Sequence, residues 1–307
     1  MNQTWRLWLV ILFLIPALSI SRGSLGEGKY RVLFDAGHAE SAGRHADWII
    51  DDDIPEPMPK NPKSPEEWSG GISSWGYDLY KTGRCEVEST DKPLTFLNSH
   101  NPQDLSKFDV LILCEPNKDF DPSERQAIIA FVKEGGGLFL VADHFGSDRN
   151  NDGIDSTGIF DKLEKETGIH FQGKGERNAS LKGGHSTSNF CSFTDREDNP
   201  IFQGPFGAVR KAYLNGFGTI RTLKNFNGTV QGHVWMNGST QGEQDIIFVT
   251  SRLGQGKIAA LSDSSPADDG TTRTPGKQLY NGWHAAGAQN NSLILNTTDF
   301  LAKHGKE

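Results

Sequence analysis

Cysteine is scarce in this sequence: its 307 residues contain only Cys85, Cys114 and Cys191. An odd number of widely spaced cysteines does not fit the framework of a small disulfide-stabilised fold. Cys114 follows the apolar run Val110–Leu113, so we expect a small buried hydrophobic side chain rather than a reactive thiol. The fold must therefore depend on a hydrophobic core, for which the chain is long enough.

Runs of basic residues are also missing. The chain has 31 Lys and Arg against 39 Asp and Glu, a net charge of -8. Proteins that bind nucleic acid through its phosphates need concentrated positive charge, so we expect no nucleic-acid partner. The sequence also lacks the H-E-x-x-H zinc motif and the G-x-S-x-G turn that carries a nucleophile.

The apolar run near the N-terminus is too short for a comfortable membrane span. Arg6 precedes this run, Leu7 to Leu18, and small residues at Ala17 and Ser19 offer a cleavage point. This pattern predicts a signal peptide over residues 1–23, with a retained anchor as the alternative. The mature chain would be secreted or periplasmic, with no stable membrane span after cleavage.

The rest of the chain, residues 24–307, is predicted to form one α/β domain. Apolar runs typical of buried strands alternate with helix signals, such as the capping pattern at Asp121-Pro-Ser-Glu124. Two further strand patterns flank the glycine turn Leu253–Gly256 and predict a hairpin near the C-terminus. Proline- and glycine-rich segments predict long loop insertions, above all between residues 39 and 71.

Four segments resemble the class I glutamine amidotransferase-like superfamily, in its non-amidotransferase branches. These include ThuA-like proteins and the domain of gliding-motility and intraflagellar-transport proteins. The segments are FDVLILCEP, DPSERQAIIAFVKEGGGLFLVADH, IIFVTSRLGQGKIAALSDSS and NNSLILNTTDFLA. The resemblance implies a flavodoxin-like three-layer sandwich with a mostly parallel central sheet and a C-terminal β-hairpin.

The chain departs from the amidotransferases at one position. They carry a cysteine on the turn after the strand that follows the GGG segment, where this chain has Asp143 and His144. Without a thiolate there, glutamine hydrolysis through a thioester has no nucleophile. We therefore expect that the protein is not a glutamine amidotransferase.

Acidic and imidazole residues follow three of the predicted strands. The three groups are Asp35 with His38, Asp143 with His144, and Asp263 with the nearby Asp268 and Asp269. Groups at the carboxyl ends of parallel strands share one crevice, where carboxylates repel each other unless a cation or proton lies between them. The pattern predicts a divalent cation at this edge, and the alternative is that each Asp caps a helix or turn.

The loop after the GGGLFLVADH segment contains Asp148, Asn150 and Asp152, followed by Gly153. Their D-x-N-x-D-G spacing is that of a calcium loop, in which alternate oxygens face one ion. The usual glutamate at the twelfth position is replaced by Ile159. The loop is therefore a candidate calcium site, and a loop of Asx turns is the alternative.

Two functional hypotheses follow from these residues. In the first, Asp35, His38 and Asp263 bind a divalent cation, and Asp143, His144 and His284 carry out a metal-assisted hydrolysis. In the second, the protein is a non-catalytic, calcium-stabilised module that binds a small molecule, a carbohydrate or a cell surface. Close approach of the strand-end carboxylates favours the first hypothesis.

Overall fold

A mostly parallel sheet organises the molecule. The computed structural model describes residues 29–302 except 46, 54, 187–190, 194–197, 225, 227, 237 and 278. The predicted signal peptide lies outside the described residues. None of the helices that the structure describes has both the length and the apolarity of a membrane span.

In chain order the helices and strands are β1 (Tyr30–Asp35), α1 (Ser73–Tyr80), β2 (Cys85–Thr90), β3 (Val110–Cys114), α2 (Pro122–Lys133), β4 (Gly137–Val141), α3 (Ser156–Asp161), α4 (Glu164–Thr167), β5 (Ile169–Phe171), β6 (Leu181–Ser186), β7 (Cys191–Phe193), β8 (Gln203–Gly204), β9 (Gly207–Ala208), β10 (Tyr213–Phe217), β11 (Ile220–Thr222), β12 (Thr229–Met236), β13 (Ile246–Leu253), β14 (Gly256–Leu261) and α5 (Asn290–Ala302). These helices and strands follow the predicted order except between β5 and β13.

Five neighbouring strands form the parallel part of the sheet, in the order β2-β1-β3-β4-β14. β13 pairs with β14 as the predicted antiparallel hairpin. β12, β11, β5 and β7 extend the sheet beyond β13, so that ten strands of the described chain belong to it. This confirms the α/β fold class, and the order of the first four strands is the flavodoxin-like one.

Both faces of the sheet are covered, which gives three layers. Along β1, Val32 and Phe34 face a core that also contains residues of α1 and α5. The alternate residue Leu33 faces the opposite core, which α2 and α3 complete. Because successive strand residues point to opposite faces, a strand buried on both sides must be apolar throughout, as β3 and β4 are.

The segment between β5 and β13 differs from its prediction. We expect short strands and loops lying over the sheet here, yet β12 is eight residues long and pairs with β13 in the sheet itself. Gly232 and His233 interrupt its apolar pattern, and the pairing register shifts beside them. These irregularities conceal the strand, because prediction of a strand depends on unbroken alternation.

Gly137 is expected to be essential for the contact between β4 and α5. A Cβ atom there would lie 2.6 Å from the Leu301 carbonyl oxygen, which neither backbone can easily avoid. We expect Gly137→Ala to lower the free energy of unfolding by about 2 kcal/mol through overpacking. Urea unfolding should detect this, with Gly242→Ala as control, since only the Thr240 carbonyl lies within 4 Å there. Equal stability of both variants would contradict the packing described.

Candidate functional site

The register of the sheet brings acidic side chains together at its carboxyl edge. Val141 of β4 is level with Cys114 of β3 and with Leu261 of β14. Glu115 therefore follows directly at the end of β3, and Asp143 and Asp263 lie level with each other two residues beyond β4 and β14. All three are buried.

His38 is held between two carboxylates. Its Nδ1 lies 2.7 Å from Asp35 Oδ2 and its Nε2 lies 3.3 Å from Glu124 Oε2. Burial lowers the pKa of His38, but Asp35 and Glu124 outweigh this effect and raise the pKa above its ordinary value. Glu124 also accepts the Asp121 amide at the start of α2, as the capping pattern predicts, so the helix terminus helps to position His38.

Glu40 completes a buried group with Asp35 and His38. One oxygen or nitrogen atom from each side chain lies within 4.8 Å of the others. Glu40 Oε2 accepts the His38 backbone amide at 2.8 Å, whereas Glu40 Oε1 is buried without a hydrogen-bond partner. Burial, and then the charge of Asp35, raise the pKa of Glu40 well above its usual range. A hydrogen bond between the Asp35 and Glu40 carboxyl groups adds to this rise, so the two side chains hold a proton that a cation would replace.

The turn that forms this group is strained. Ala39, between His38 and Glu40, adopts a φ of +61°. This left-handed conformation costs a residue other than glycine about 1–2 kcal/mol. Such strain is found where the surrounding structure imposes a geometry, often at functional sites.

Arg149 joins Glu115 to Asp143. Its Nε lies 3.1 Å from Glu115 Oε1 and its terminal nitrogen 2.6 Å from Asp143 Oδ2. Ser264 donates its hydroxyl to the other Glu115 oxygen at 2.5 Å. Burial raises the pKa of Glu115 well above its usual range, and Asp143 adds to that rise while Arg149 opposes it. Glu115 also adopts a left-handed φ of +48°, the second strained residue at this edge.

Asp263 interacts with Asp143 across the two strand ends. Burial, and then the charge of Asp143, raise its pKa well above the usual range. Its two oxygens accept the backbone amides of Asn215 and Ser265, at 2.7 and 2.8 Å. Asp263 thus has turn contacts of the kind that the alternative interpretation describes, together with a close carboxylate neighbour.

Of the aspartates further along the loops, one caps a helix and two are buried with raised pKa values. Asp269 accepts the Ser74 amide at 2.7 Å and so caps the start of α1. Asp268 and Asp47 are both buried, and burial is the main cause that raises the pKa of Asp268 to about 8 and that of Asp47 to about 7. Both oxygens of Asp47 lack a hydrogen bond of standard geometry, although the Thr272 hydroxyl approaches them.

The residues of the predicted calcium loop lie nearer the surface. Asp148 accepts the amides of Asp152 and Gly153, and Asp152 accepts the Ile154 amide at 3.0 Å. Asn150 donates its side-chain amide to Asp152 at 2.9 Å. These contacts are those of Asx turns. Calcium binding by Asp148, Asn150 and Asp152 stays a prediction.

The two predicted catalytic histidines differ in their surroundings. His144 is half-buried, with Nδ1 2.8 Å from the Phe145 carbonyl, beside Asp143. His284 is exposed, and its backbone amide donates to Asn281. Among the residues that the structure describes, the buried metal-type group has only Asp35, His38 and Glu40 as members. Asp143, His144, Asp263 and His284 do not belong to it.

Sequence reasoning missed Glu40, Glu115 and Arg149. Glu40 was visible only as a loop residue two positions after His38, and Glu115 only as the end of an apolar run. Arg149 lies inside the candidate calcium loop, where the oxygen ligands draw attention away from it. The sequence contains one signal for Glu115: it directly follows a fully apolar strand. Asp143 and Asp263 lie two residues after the ends of their strands.

A second acidic group lies away from this edge. Asp161, Glu164 and His170 present atoms within 4.8 Å of one another near β5. His170 Nε2 also lies 2.7 Å from Glu176 Oε2. Both ring nitrogens are paired with carboxylates, as in His38, but none of the Asp161 and Glu164 oxygens is buried without a hydrogen-bond partner.

Comparison with solved structures supports the fold. The N-terminal domain of mmIFT52 matches with a TM-score of 0.54 at 12% identity, over 90% of this chain and 99% of that one. A Parabacteroides merdae protein described as ThuA-like matches with a TM-score of 0.50 at 11% identity, over 90% of each chain. No family model and no curated protein matches the sequence. The fold resemblance stated from the sequence is thus confirmed.

Replacing Arg149 should destabilise the protein in a pH-dependent manner. Arg149→Gln leaves Glu115 and Asp143 buried without their cation, a loss of about 3 kcal/mol. A carboxyl group whose folded pKa lies above its unfolded pKa destabilises the fold increasingly as the pH rises between the two values. The loss should therefore be larger at pH 8 than at pH 5, as measured by urea unfolding.

The matched control is Arg125→Gln, which removes a half-exposed pair with Asp119. Such pairs contribute about 1 kcal/mol or less. An Arg149→Gln loss that is no larger than the control, or that is the same at both pH values, would contradict the role given to Arg149.

Proposed function

We propose that the protein binds a divalent cation at Asp35, His38 and Glu40 and uses it for metal-assisted hydrolysis. The observation that carries the proposal is the buried Glu40 Oε1, which has no hydrogen-bond partner beside two further ligand-type side chains. A buried acceptor without a partner costs free energy, and a buried carboxylate costs more. A cation relieves both costs.

The ligand chemistry indicates a hard or borderline cation. Two carboxylates and one imidazole suit Mg²⁺, Mn²⁺, Fe²⁺ or Zn²⁺ better than a soft ion. Binding would use the neutral imidazole and both ionised carboxylates, so Glu124 and Asp121 hold His38 in place as it loses its proton. When bound, the cation supplies a coordinated water whose pKa is lowered toward neutrality.

The chain's own residues supply the remaining chemistry. Asp143 and Glu115 lie next to each other at the same edge, and burial raises the pKa of both, so they hold a proton more readily than ordinary carboxyl groups and are candidates for proton transfer. His144 is half-buried, and its backbone amide donates to the Asp143 side chain at 2.7 Å. Arg149 orients Glu115 and Asp143 by binding both.

The substrate is proposed to be a small polar molecule or a carbohydrate. The charged groups at this edge are mostly acidic, so substrates that present hydroxyl donors are favoured over anionic ones. A panel of nitrophenyl esters, glycosides and phosphate esters, each assayed with and without EDTA, tests this. Turnover that EDTA abolishes and Mn²⁺ restores is expected, and metal-independent turnover would contradict the mechanism.

We also propose that the chain is exported, on the basis of Arg6 and the apolar run Leu7 to Leu18. N-terminal sequencing of the protein from its source should give a start near residue 24. A retained residue 1 would support the anchor alternative.

The calcium-stabilised binding module remains the alternative function. In that case Ca²⁺ should raise Tm, and Asp152→Asn should abolish the rise while Glu40→Gln leaves it unchanged. For Mn²⁺ the proposed function predicts that Glu40→Gln abolishes the rise in Tm and that Asp152→Asn leaves it unchanged.

Cation binding can be tested directly by titrating the purified protein with Mn²⁺. We expect Glu40→Gln, which keeps the shape but removes the charge, to weaken the affinity of this site at least about tenfold, or about 1.4 kcal/mol. The affinity of the wild type should also fall from pH 8 to pH 6, because protons compete for Glu40 and His38.

The control is Asp119→Asn, whose carboxylate is already paired with Arg125 and Lys162. Unchanged Mn²⁺ affinity in Glu40→Gln would remove the basis of the proposed function.

A further inference from the structure

Asp47 is a buried carboxylate that the chemistry proposed above does not use. It is 1% exposed, and neither of its oxygens has a hydrogen bond of standard geometry, although the Thr272 hydroxyl and the Gly71 amide approach them. An uncompensated buried carboxylate is costly enough that proteins pair it, protonate it or bind a cation with it. No other carboxylate of the described chain has both oxygens buried without a partner.

A second buried carboxylate lies in the same place. Gly71 packs against Asp47, since a Cβ atom on Gly71 would lie 2.9 Å from Asp47 Cβ. The Gly71 carbonyl accepts the Asp269 amide at 2.8 Å, which brings the 268–269 turn to the same point. Asp268 is 1% exposed and its charge interacts with that of Asp47. The two buried carboxylates are thus close enough for their charges to interact.

The nearest basic side chain does not neutralise this pair. Lys277 Nζ donates to the Ser41 carbonyl at 2.5 Å, and its charge acts on Asp47 only as one of several smaller influences. Asp268 receives one amide on each oxygen, from Tyr280 at 3.0 Å and from Gly270 at a long 3.4 Å. Both carboxylates therefore keep lone pairs for a further ligand, and Asp47 has no hydrogen bond of standard geometry.

We propose that Asp47 and Asp268 hold a second cation, a hard divalent ion, at a site separate from Asp35, His38 and Glu40. An all-carboxylate pair selects Mg²⁺, Ca²⁺ or Mn²⁺ over softer ions. Asp47, whose oxygens have no hydrogen bond of standard geometry, is suited to bidentate binding, and Asp268 contributes a single oxygen while it keeps its turn contacts.

The number of Mn²⁺ ions bound by the full chain tests this proposal. Equilibrium dialysis should give two ions for the wild type, one for Asp47→Asn, one for Glu40→Gln and none for the double variant. A wild type with one ion that Asp47→Asn abolishes and Glu40→Gln retains would support this site and refute the proposed function. A single ion that only Glu40→Gln abolishes would overturn this site.

Thermal unfolding distinguishes cation binding by Asp47 from a purely structural role of this residue. In EDTA at pH 8, Asp47→Asn should raise Tm, because it removes an unpaired buried charge. In saturating Mn²⁺ the wild type should have the higher Tm, because only the wild type binds the ion at this site and is stabilised by it. If Asp47→Asn does not fold, we expect the same Tm changes for Asp268→Asn in EDTA and in Mn²⁺. A variant that has a lower Tm than the wild type by the same amount in both conditions would refute the proposal.

Discussion

An excess of buried negative charge is the constraint on which the rest of this molecule depends. Glu40, Glu115, Asp143, Asp263 and Asp268 are all buried near the carboxyl ends of the parallel strands, and burial raises the pKa of each. Few cationic groups of the described chain enter this region. Such an arrangement is stable only with protons or cations among the carboxylates, and the choice between them connects the fold to a function.

The fold produces this concentration of charge through its register. Parallel strands β3, β4 and β14 end at one level, so the residues after them must share a small volume. The long loops after β1 and β14 then fold over that edge, and they add Glu40, Asp47 and Asp268 from distant parts of the sequence. The strained φ angles of Ala39 and Glu115 lie where this crowding is greatest. The structural similarity to ThuA-like proteins concerns the fold alone, so the proposed cation sites rest on the residues of this chain.

The sequence predicted the framework well and the site in part. Apolar runs located β1, β3, β4 and β14, and the Asp121–Glu124 pattern located the start of α2, because these signals are local. Asp35 and His38 were identified for the same reason, since they directly follow a strand. Glu40 and Arg149 could not be identified, because their roles depend on loop conformations and, for Arg149, on Glu115, which lies 34 residues away. The pairing of β12 depends equally on non-local contacts.

The central claim is that cations replace protons among these carboxylates. Calorimetry of Mn²⁺ binding in buffers of different ionisation enthalpy counts the protons released for each chain. Asp47 and Asp268, with pKa values of about 7 and about 8, carry protons at pH 6 and lose them on binding, whereas at pH 8.5 they are mostly ionised. The account predicts the release of at least about one proton for each ion at pH 6 and a smaller release at pH 8.5. Binding without proton release at pH 6 would contradict it.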